Sequence, residues 1–163
     1  MTIRNARQAR AVKSRGRTAE SQVCDYLNEQ LGIKHVERRR LAGVEDCGDI
    51  AGLLEWCIEV KSHGRMDLAG WVTEMLAETE NARARFGAEH GAVWHKRRGT
   101  TNPGEWYVTM TGAQLVDLIK MRNQIEQLLE CEQLLRRPTS DGLMRDRAEV
   151  VLAALDAARK EET

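Results

Sequence analysis

The chain has 163 residues with 25 basic and 25 acidic side chains, so its formal net charge is zero. A chain of this length forms one domain, with room for an appendage, and can bury a hydrophobic core. The four cysteines, Cys24, Cys47, Cys57 and Cys131, show no CxxC spacing and no histidine pair at zinc spacing. This argues against a structural zinc site and against a disulfide framework.

No stretch of the sequence predicts membrane insertion or export. No run comes near the roughly 18 apolar residues of a membrane-spanning helix, and residues 1–17 lack the apolar segment of a signal peptide. We therefore expect a soluble, cytoplasmic protein with reduced cysteines and no membrane partner.

The charged residues are distributed unevenly along the chain. Residues 1–17 contain six Arg or Lys and no acid, whereas residues 41–61 contain five acids and one basic residue, Lys61. A basic arm beside an acidic cluster suits a metal-dependent enzyme that acts on a polyanion, and Arg15 and Arg17 are candidate DNA contacts. A disordered tail that only keeps the protein soluble explains the arm equally well.

The first predicted element is a helix from about Thr18 to Leu31, with Gly32 as its C-terminal stop. Its apolar stripe contains Val23 and Leu27, and Glu20 falls on that stripe about one turn earlier. Glu20 has two interpretations. It favours the helix N-terminus through the helix dipole, or it lies at the edge of the core in an active site. The acids described next favour the second.

A strand is predicted over residues 34–39, followed by a loop over residues 41–48. The basic triplet Arg38, Arg39 and Arg40 leads into this loop. Guanidinium groups commonly bind DNA phosphates, so these three arginines are candidate backbone contacts.

Two further strands are predicted over residues 49–52 and 56–61, joined by a three-residue turn. The second alternates apolar and polar residues, which is typical of a strand with one face in the core. In a hairpin that pairs Gly52 with Trp56, Asp49 lies opposite Glu59, with the Cβ atoms about 5 Å apart. Lys61 follows on the same face, roughly 6–7 Å from Glu59. Two carboxylates and a lysine would then converge.

The same residues also fit a solvated outer face of a hairpin, because short motifs of this kind occur often by chance. The strongly apolar opposite face of the second strand and the upstream Glu20 favour a functional site. Glu45 and Asp46 are alternative acids, but a loop fixes a side chain less well than a strand.

Gly48 and Asp49, followed by Ile58-Glu59-Val60-Lys61 and preceded by Glu20, resemble the PD-(D/E)xK nuclease superfamily. The closest likeness is to its Holliday-junction-resolvase-like branch, including small phage-encoded resolvases. The resemblance covers residues 14–112, and Gly48 stands where the superfamily name has proline, at a variable position. It implies an α/β fold: a restriction-endonuclease-like core with a central mixed β-sheet flanked by helices, and the strand of Glu59 in the middle.

The resemblance also implies a chemistry. Asp49, Glu59 and the main-chain carbonyl of Val60 would hold Mg²⁺ or Mn²⁺, with Glu20 completing the shell. Lys61, with a pKa lowered by burial and a nearby cation, would position or deprotonate the attacking water. The expected activity is hydrolysis of DNA phosphodiester bonds at four-way junctions. Flaps, single strands or DNA ends are alternative substrates, and an inactive DNA-binding or assembly protein is the alternative of another class.

The rest of this core follows in order. A helix is predicted over residues 67–86, with Trp71 in the core, Glu74 and Glu78 one turn apart near Lys61, and Glu78 on a solvated face. Strands are predicted over residues 90–95 and 105–110. The basic tip between them is the second candidate DNA contact, and it contains Lys96, Arg97 and Arg98. A hairpin tip that only keeps the protein soluble explains these residues equally well.

Residues 113–163 form a predicted helical extension beyond the arm (1–17) and the nuclease core (18–112). A heptad-like seam with Met121, Ile125 and Leu128 is followed by a breaker at residues 138–142 and by a final helix with Met144 and Val151 on one face. The two helices would form an intrachain hairpin, an adaptor surface or a homodimer contact. Symmetric cleavage of branched DNA favours the homodimer.

Overall fold

The computed structural model describes residues 3–39 and 45–135, and the single residues 149 and 153. Helices and strands alternate along this part of the chain, so the α/β class is confirmed. The elements are α1 (Ile3–Leu31), β1 (Glu37–Arg38), β2 (Ile50–Ala51), β3 (Trp56–Lys61), α2 (Leu68–Phe86), β4 (His90–His95), a 3₁₀ turn (Pro103–Glu105), β5 (Tyr107–Thr109) and α3 (Gly112–Leu135).

A mixed three-stranded sheet forms the centre of the N-terminal unit, in the order β3-β4-β5. Strands β3 and β4 are parallel, with Trp56 opposite His90 and Lys61 opposite His95. Strand β5 runs antiparallel to β4. The central strand is therefore β4, and the expectation that the strand of Glu59 lies in the middle of the sheet is wrong. The crossover through α2 returns the chain to one side of β3, and β5 then adds to the other side of β4.

The predicted hairpin between residues 49–52 and 56–61 is also wrong, because these two segments do not pair as neighbouring strands. Ile50 and Ala51 pair instead with Glu37 and Arg38 in an antiparallel two-stranded sheet. The N–H of Arg39 extends that sheet by donating to the carbonyl of Asp49 at 2.7 Å. One main-chain hydrogen bond still joins β2 to β3, from the Asp49 N–H to the Ile58 carbonyl at 2.8 Å. Asp49 therefore remains beside β3.

The turn after β2 depends on a glycine. Gly52 has a φ of +93°, and a Cβ atom there would lie 2.3 Å from the carbonyl oxygen of His35. We expect Gly52→Ala to lower the free energy of unfolding by about 2 kcal/mol or more, from backbone strain and the clash. Urea unfolding measures this change. Gly64→Ala is the control: a Cβ atom there meets nothing within 4 Å, so a change within about 0.5 kcal/mol is expected. Equal losses in both variants would contradict the argument.

Helices cover both faces of β3. Helix α1 buries Val23 and Leu27 against Ile58 and Val60, as the predicted apolar stripe requires. On the other face, Cys57 packs with Ala82 of α2. Trp71 of α2 is buried with Met75 and Val93, which confirms its predicted place in the core. The sheet thus lies between α1 and α2, and a polar residue on β3 is enclosed unless it faces the strand edge.

Helix α1 starts earlier than predicted. It begins at Ile3 rather than near Thr18, so the basic arm from Ile3 onward is the first half of this helix. The cause is composition, since residues 3–17 are rich in Ala and Arg, which favour helix. Glu20 therefore lies in mid-helix, which removes its interpretation as a residue that stabilises the helix N-terminus.

The chain divides into two compact units, Met1–Gln114 and Leu115–Thr163. In the second unit α3 continues to Leu135, and its seam residues Met121, Ile125 and Leu128 are exposed. The breaker at 138–142 and the final helix with Met144 and Val151 lie outside the described residues. Within the described ranges, no helix has the length and apolar composition needed to cross a membrane.

Candidate functional site

All four predicted catalytic residues border one cleft of about 230 Å³ at the edge of β3. Glu20 comes from the middle of α1, Asp49 directly precedes β2, and Glu59 and Lys61 lie on β3. The predicted ligand Val60 lines the same cleft. The remaining lining residues are Gly16, Arg17, Arg38, Arg39, Ser62 and His63. Folding therefore gathers the acidic motif and three of the predicted DNA contacts around one opening.

Asp49 is held in place by main-chain hydrogen bonds on both sides. Its N–H donates to the Ile58 carbonyl at 2.8 Å, and its Oδ2 accepts from the Val60 N–H at 2.9 Å. The preceding Gly48 has a φ of +84°, and a Cβ atom there would lie 2.8 Å from the Ile58 oxygen. Proline, fixed near a φ of about −65°, does not fit this backbone. Glycine at this position is thus a requirement of the local conformation.

The two strand acids carry raised pKa values. Burial raises the pKa of Asp49 to about 8, and the negative charge of Glu59 adds to that shift. Burial likewise raises the pKa of Glu59 to about 7, with a further contribution from the charge of Glu78. Buried carboxyl groups that repel one another are stabilised by a bound proton or by a bound cation. Oxygen donors of this kind suit hard cations such as Mg²⁺ or Mn²⁺.

The Lys61 ammonium group donates hydrogen bonds to two glutamates. Its Nζ donates to Glu59 Oε1 at 2.5 Å and to Glu74 Oε2 at 2.7 Å. Burial lowers the pKa of Lys61, but hydrogen bonds and charges from both glutamates outweigh burial and raise this pKa above its ordinary value. The expected lowering of the Lys61 pKa concerns a site with a cation nearby and stays a prediction, whereas in the metal-free protein this pKa is raised. The ammonium form is the one that the site stabilises.

Helix α2 adds acids that the sequence only partly indicated. Glu78 is buried, and burial raises its pKa to about 7, so its predicted place on a solvated face is wrong. Oxygens of Glu59, Glu74 and Glu78 all lie within 4.8 Å of one another, close enough to hold a metal ion. This set shares only Glu59 with the predicted ligands Asp49, Glu59, Val60 and Glu20. The i, i+4 spacing on α2 predicts both glutamates one turn apart near Lys61, and the hydrogen bond from Lys61 to Glu74 confirms this for Glu74.

Glu20 and Arg38 form an ion pair at the rim of the cleft. Arg38 Nε and Nη2 both donate to Glu20 Oε2, at 2.7 and 2.5 Å. The Glu20 side chain is only 14% exposed, so the guanidinium neutralises an enclosed carboxylate. Arg38 was predicted as a phosphate contact and Glu20 as a metal ligand. In this structure the two side chains pair with each other instead.

The other predicted DNA contacts have different surroundings. Arg39 donates to the Ile50 carbonyl at 3.1 Å and stacks over the Phe86 ring, so it has a structural role. Arg40 lies outside the described residues. The exposed Arg17 lines the acidic cleft. A second group of predicted contacts lines a neighbouring hollow, and its members are Arg15, Lys96, Arg97 and Arg98.

No family model, curated protein or solved structure matches the chain. Function is therefore inferred from the chemistry of the described side chains and from the motif that they form.

Proposed function

We propose that this protein is a metal-dependent DNA endonuclease that hydrolyses phosphodiester bonds, with four-way junctions as the preferred substrate. The observation that supports this most strongly is the convergence of Asp49, Glu59 and Lys61 on one cleft, with Glu20 at its rim. These residues come from three separate elements, and they are the ones that the motif singles out.

The charges of the cleft favour catalysis over simple DNA binding. Unscreened carboxylates such as Asp49 and Glu59 repel phosphate, so a pure DNA-binding surface gains nothing from enclosing them. If the same carboxylates held a divalent cation, the charge of that cation would attract a phosphate oxygen to the site. Arg17 on the cleft wall then adds an exposed positive charge on the approach to the site.

Asp49 and Glu59 would hold Mg²⁺ or Mn²⁺, together with the Val60 carbonyl and Glu20. When bound, such an ion lowers the pKa of a water molecule and stabilises charge on the phosphoryl oxygens. The hydrogen bond to Glu74 favours the protonated form of Lys61. Lys61 would therefore donate a hydrogen bond to the attacking water or to a phosphate oxygen. Its proposed role is thus electrostatic: it positions the attacking water and offsets the negative charge on the phosphate.

Glu78 has a supporting place in this scheme. Its carboxyl lies within reach of the buried Glu59 and the exposed Glu74. A proton held on Glu78 reduces the repulsion that Glu59 experiences. We therefore assign Glu78 to the positioning of Glu59, and Glu74 to the positioning of Lys61.

A cleavage assay with Mg²⁺ tests the proposal. The probes are an immobile four-way junction, a flap, a single strand and a linear duplex, each incubated with the wild-type chain and with Asp49→Ala. The expected result is a pair of symmetric nicks with 5′-phosphate ends on the junction, absent in the variant. Such paired nicks would also support the homodimer. Cleavage of flaps or ends alone would support the metal-dependent nuclease and contradict the four-way junction as its substrate. Absence of metal-dependent cleavage on every probe would overturn the enzyme in favour of a DNA-binding protein.

A further inference from the structure

Two adjoining hollows lie beside the acidic cleft, and we call them together the rim cleft. One is about 400 Å³ and the other about 350 Å³. Both are lined by His63, Gly64 and the consecutive basic residues Lys96, Arg97 and Arg98. These volumes fall in the range of roughly 300–1,000 Å³ that is typical of small-ligand sites.

The smaller hollow is the basic half of the rim cleft. Arg15 and Thr18 of α1 meet Arg97, Arg98 and Thr100 of the loop after β4 there. The residues that line it include no acid. Two basic segments far apart in sequence thus form one surface of cations and hydroxyl groups, which is the chemistry that binds a phosphate group.

The larger hollow is the aromatic half, and four rings follow one another along it. The ring centroids of His63 and Trp71 are 6.0 Å apart, those of Trp71 and His95 5.6 Å, and those of His95 and Tyr107 5.3 Å. Trp71 and His95 are buried, whereas Tyr107 is 51% exposed. His95 is further fixed by a 3.0 Å hydrogen bond between its Nε2 and Thr109 Oγ1. An exposed ring backed by buried rings is suited to stack with a nucleobase.

The rim cleft is continuous with the acidic cleft. Lys61 lines both the aromatic half and the acidic cleft, and Ser62 lines both the basic half and the acidic cleft. A strand that passes through the rim cleft therefore reaches Asp49 and Glu59 without leaving the surface.

We propose that the rim cleft binds one unpaired DNA nucleotide next to the scissile phosphate, with a backbone phosphate in the basic half and the base stacked on Tyr107. The choice of DNA rests on the proposed function. A base inside a duplex has neighbours on both faces, so only an unpaired base can stack on Tyr107. Among branched substrates, four-way junctions included, the enzyme should then prefer those with an unpaired nucleotide at the branch point.

Binding measurements with the full chain carrying Asp49→Asn, in the presence of Mg²⁺, test this without cleavage. The probes are a duplex with a short single-stranded branch, the same DNA with abasic sites in the branch, and the fully paired duplex, all without terminal phosphates. Stacking of one base contributes about 1–3 kcal/mol, so removal of the base should weaken binding roughly 5- to 150-fold.

Tyr107→Ala should weaken binding of the intact branch by a similar factor and leave binding of the abasic branch unchanged. Tyr107→Phe, which keeps the ring, should bind like the parent chain. Val108→Ala is the matched control, because this neighbour on β5 is also exposed and alternation along a strand directs it to the other face. Equal thermal stability of the variants would exclude misfolding.

The basic half has its own test. Arg97→Ala should weaken binding of the intact and the abasic branch equally and reduce the salt dependence by about one phosphate contact. Lys34→Ala, at an exposed lysine that lines neither hollow, should change neither quantity.

Three results would overturn the rim cleft: equal binding of intact and abasic branches by the parent chain, equal losses on both probes for Tyr107→Ala, or binding that appears only after 5′-phosphorylation. Cleavage by the wild-type chain is measured separately. If cleavage is absent but the intact branch still binds more tightly than the abasic branch, the nuclease proposal alone is overturned. If cleavage is present but the two branches bind equally, the rim-cleft proposal alone is overturned.

Discussion

Asp49→Asn is expected to lower the rate constant of Mg²⁺-dependent DNA cleavage by at least about 10³-fold, which corresponds to several kcal/mol of lost transition-state stabilisation. The substitution removes a negative oxygen ligand but preserves side-chain volume, and the amide oxygen can still accept the hydrogen bond that Val60 donates to Asp49. DNA binding should persist or strengthen, because one carboxylate no longer repels phosphate. Single-turnover cleavage and equilibrium binding on the same DNA measure the two effects.

Glu45→Gln is the matched control for this substitution. Glu45 is the nearby loop acid that was an alternative to Asp49, and its exposed side chain forms a surface ion pair with Arg85. Exposed pairs contribute little to stability, and Glu45 does not line the acidic cleft. We expect the control to cleave DNA at the wild-type rate. A fully active Asp49→Asn would refute the assignment, and an inactive Glu45→Gln would transfer the metal site to the loop.

Long elements with strong periodicity could be predicted from the sequence. Helix α2 and strands β3 and β4 lie where their apolar patterns indicate, with Asp67 accepting the capping N–H of Gly70 at the start of α2. The two-residue strands β1 and β2 could not be paired correctly. Their partnership depends on the Arg39 to Asp49 hydrogen bond and on the close approach of Gly52 to His35, both of which join residues distant in sequence.

The candidate site was predictable to a similar degree. Alternation along β3 indicates that Glu59 and Lys61 share a face, and this holds even though Asp49 arrives by a different strand pairing. Depth of burial was not predictable for Glu78, because a helical wheel indicates which residues share a face but not how far a neighbouring strand covers them. The pair formed by Glu20 and Arg38 was missed for the same reason, since only the packing of α1 against β1 brings the two side chains together.

The raised acid pKa values make a second strong prediction, on stability. The pKa of Asp49 is about 8 in the folded chain against an ordinary 3.8, and those of Glu59 and Glu78 are about 7 against 4.5. At a pH above the ordinary pKa values of these three carboxyl groups, the unfolded chain has lost their protons while the folded chain retains them. Stability therefore falls as the pH rises towards the folded pKa values.

The window from pH 6.5 to 8.5 isolates this effect. Burial lowers the pKa of His95 below its ordinary 6.5, so the opposing gain in stability from His95 is only partly complete at pH 6.5 and ends about one pH unit higher. Burial raises the pKa of the Cys24 and Cys57 thiols to about 11 and 12 from an ordinary 9.0, so their contributions fall mostly above the upper limit. Within the window, loss of the Asp49 proton alone should cost the metal-free chain about 2 kcal/mol, a fall in Tm of roughly 4–8 °C, and deprotonation of Glu59 and Glu78 adds to that loss.

Mg²⁺ should reverse this loss, because the ion binds the deprotonated carboxylates and competes with protons for them. The Tm gain on addition of Mg²⁺ should thus be larger at pH 8.5 than at pH 6.5. Asp49→Asn should flatten the pH dependence in EDTA, since it removes the group with the largest shift, and should lose most of the Mg²⁺ effect. Differential scanning calorimetry at both pH values, with EDTA or Mg²⁺, measures all of these quantities. A metal-free chain that gains stability across this window would show that the acids are solvated, and the cleft would then lack the enclosed charge on which metal binding depends.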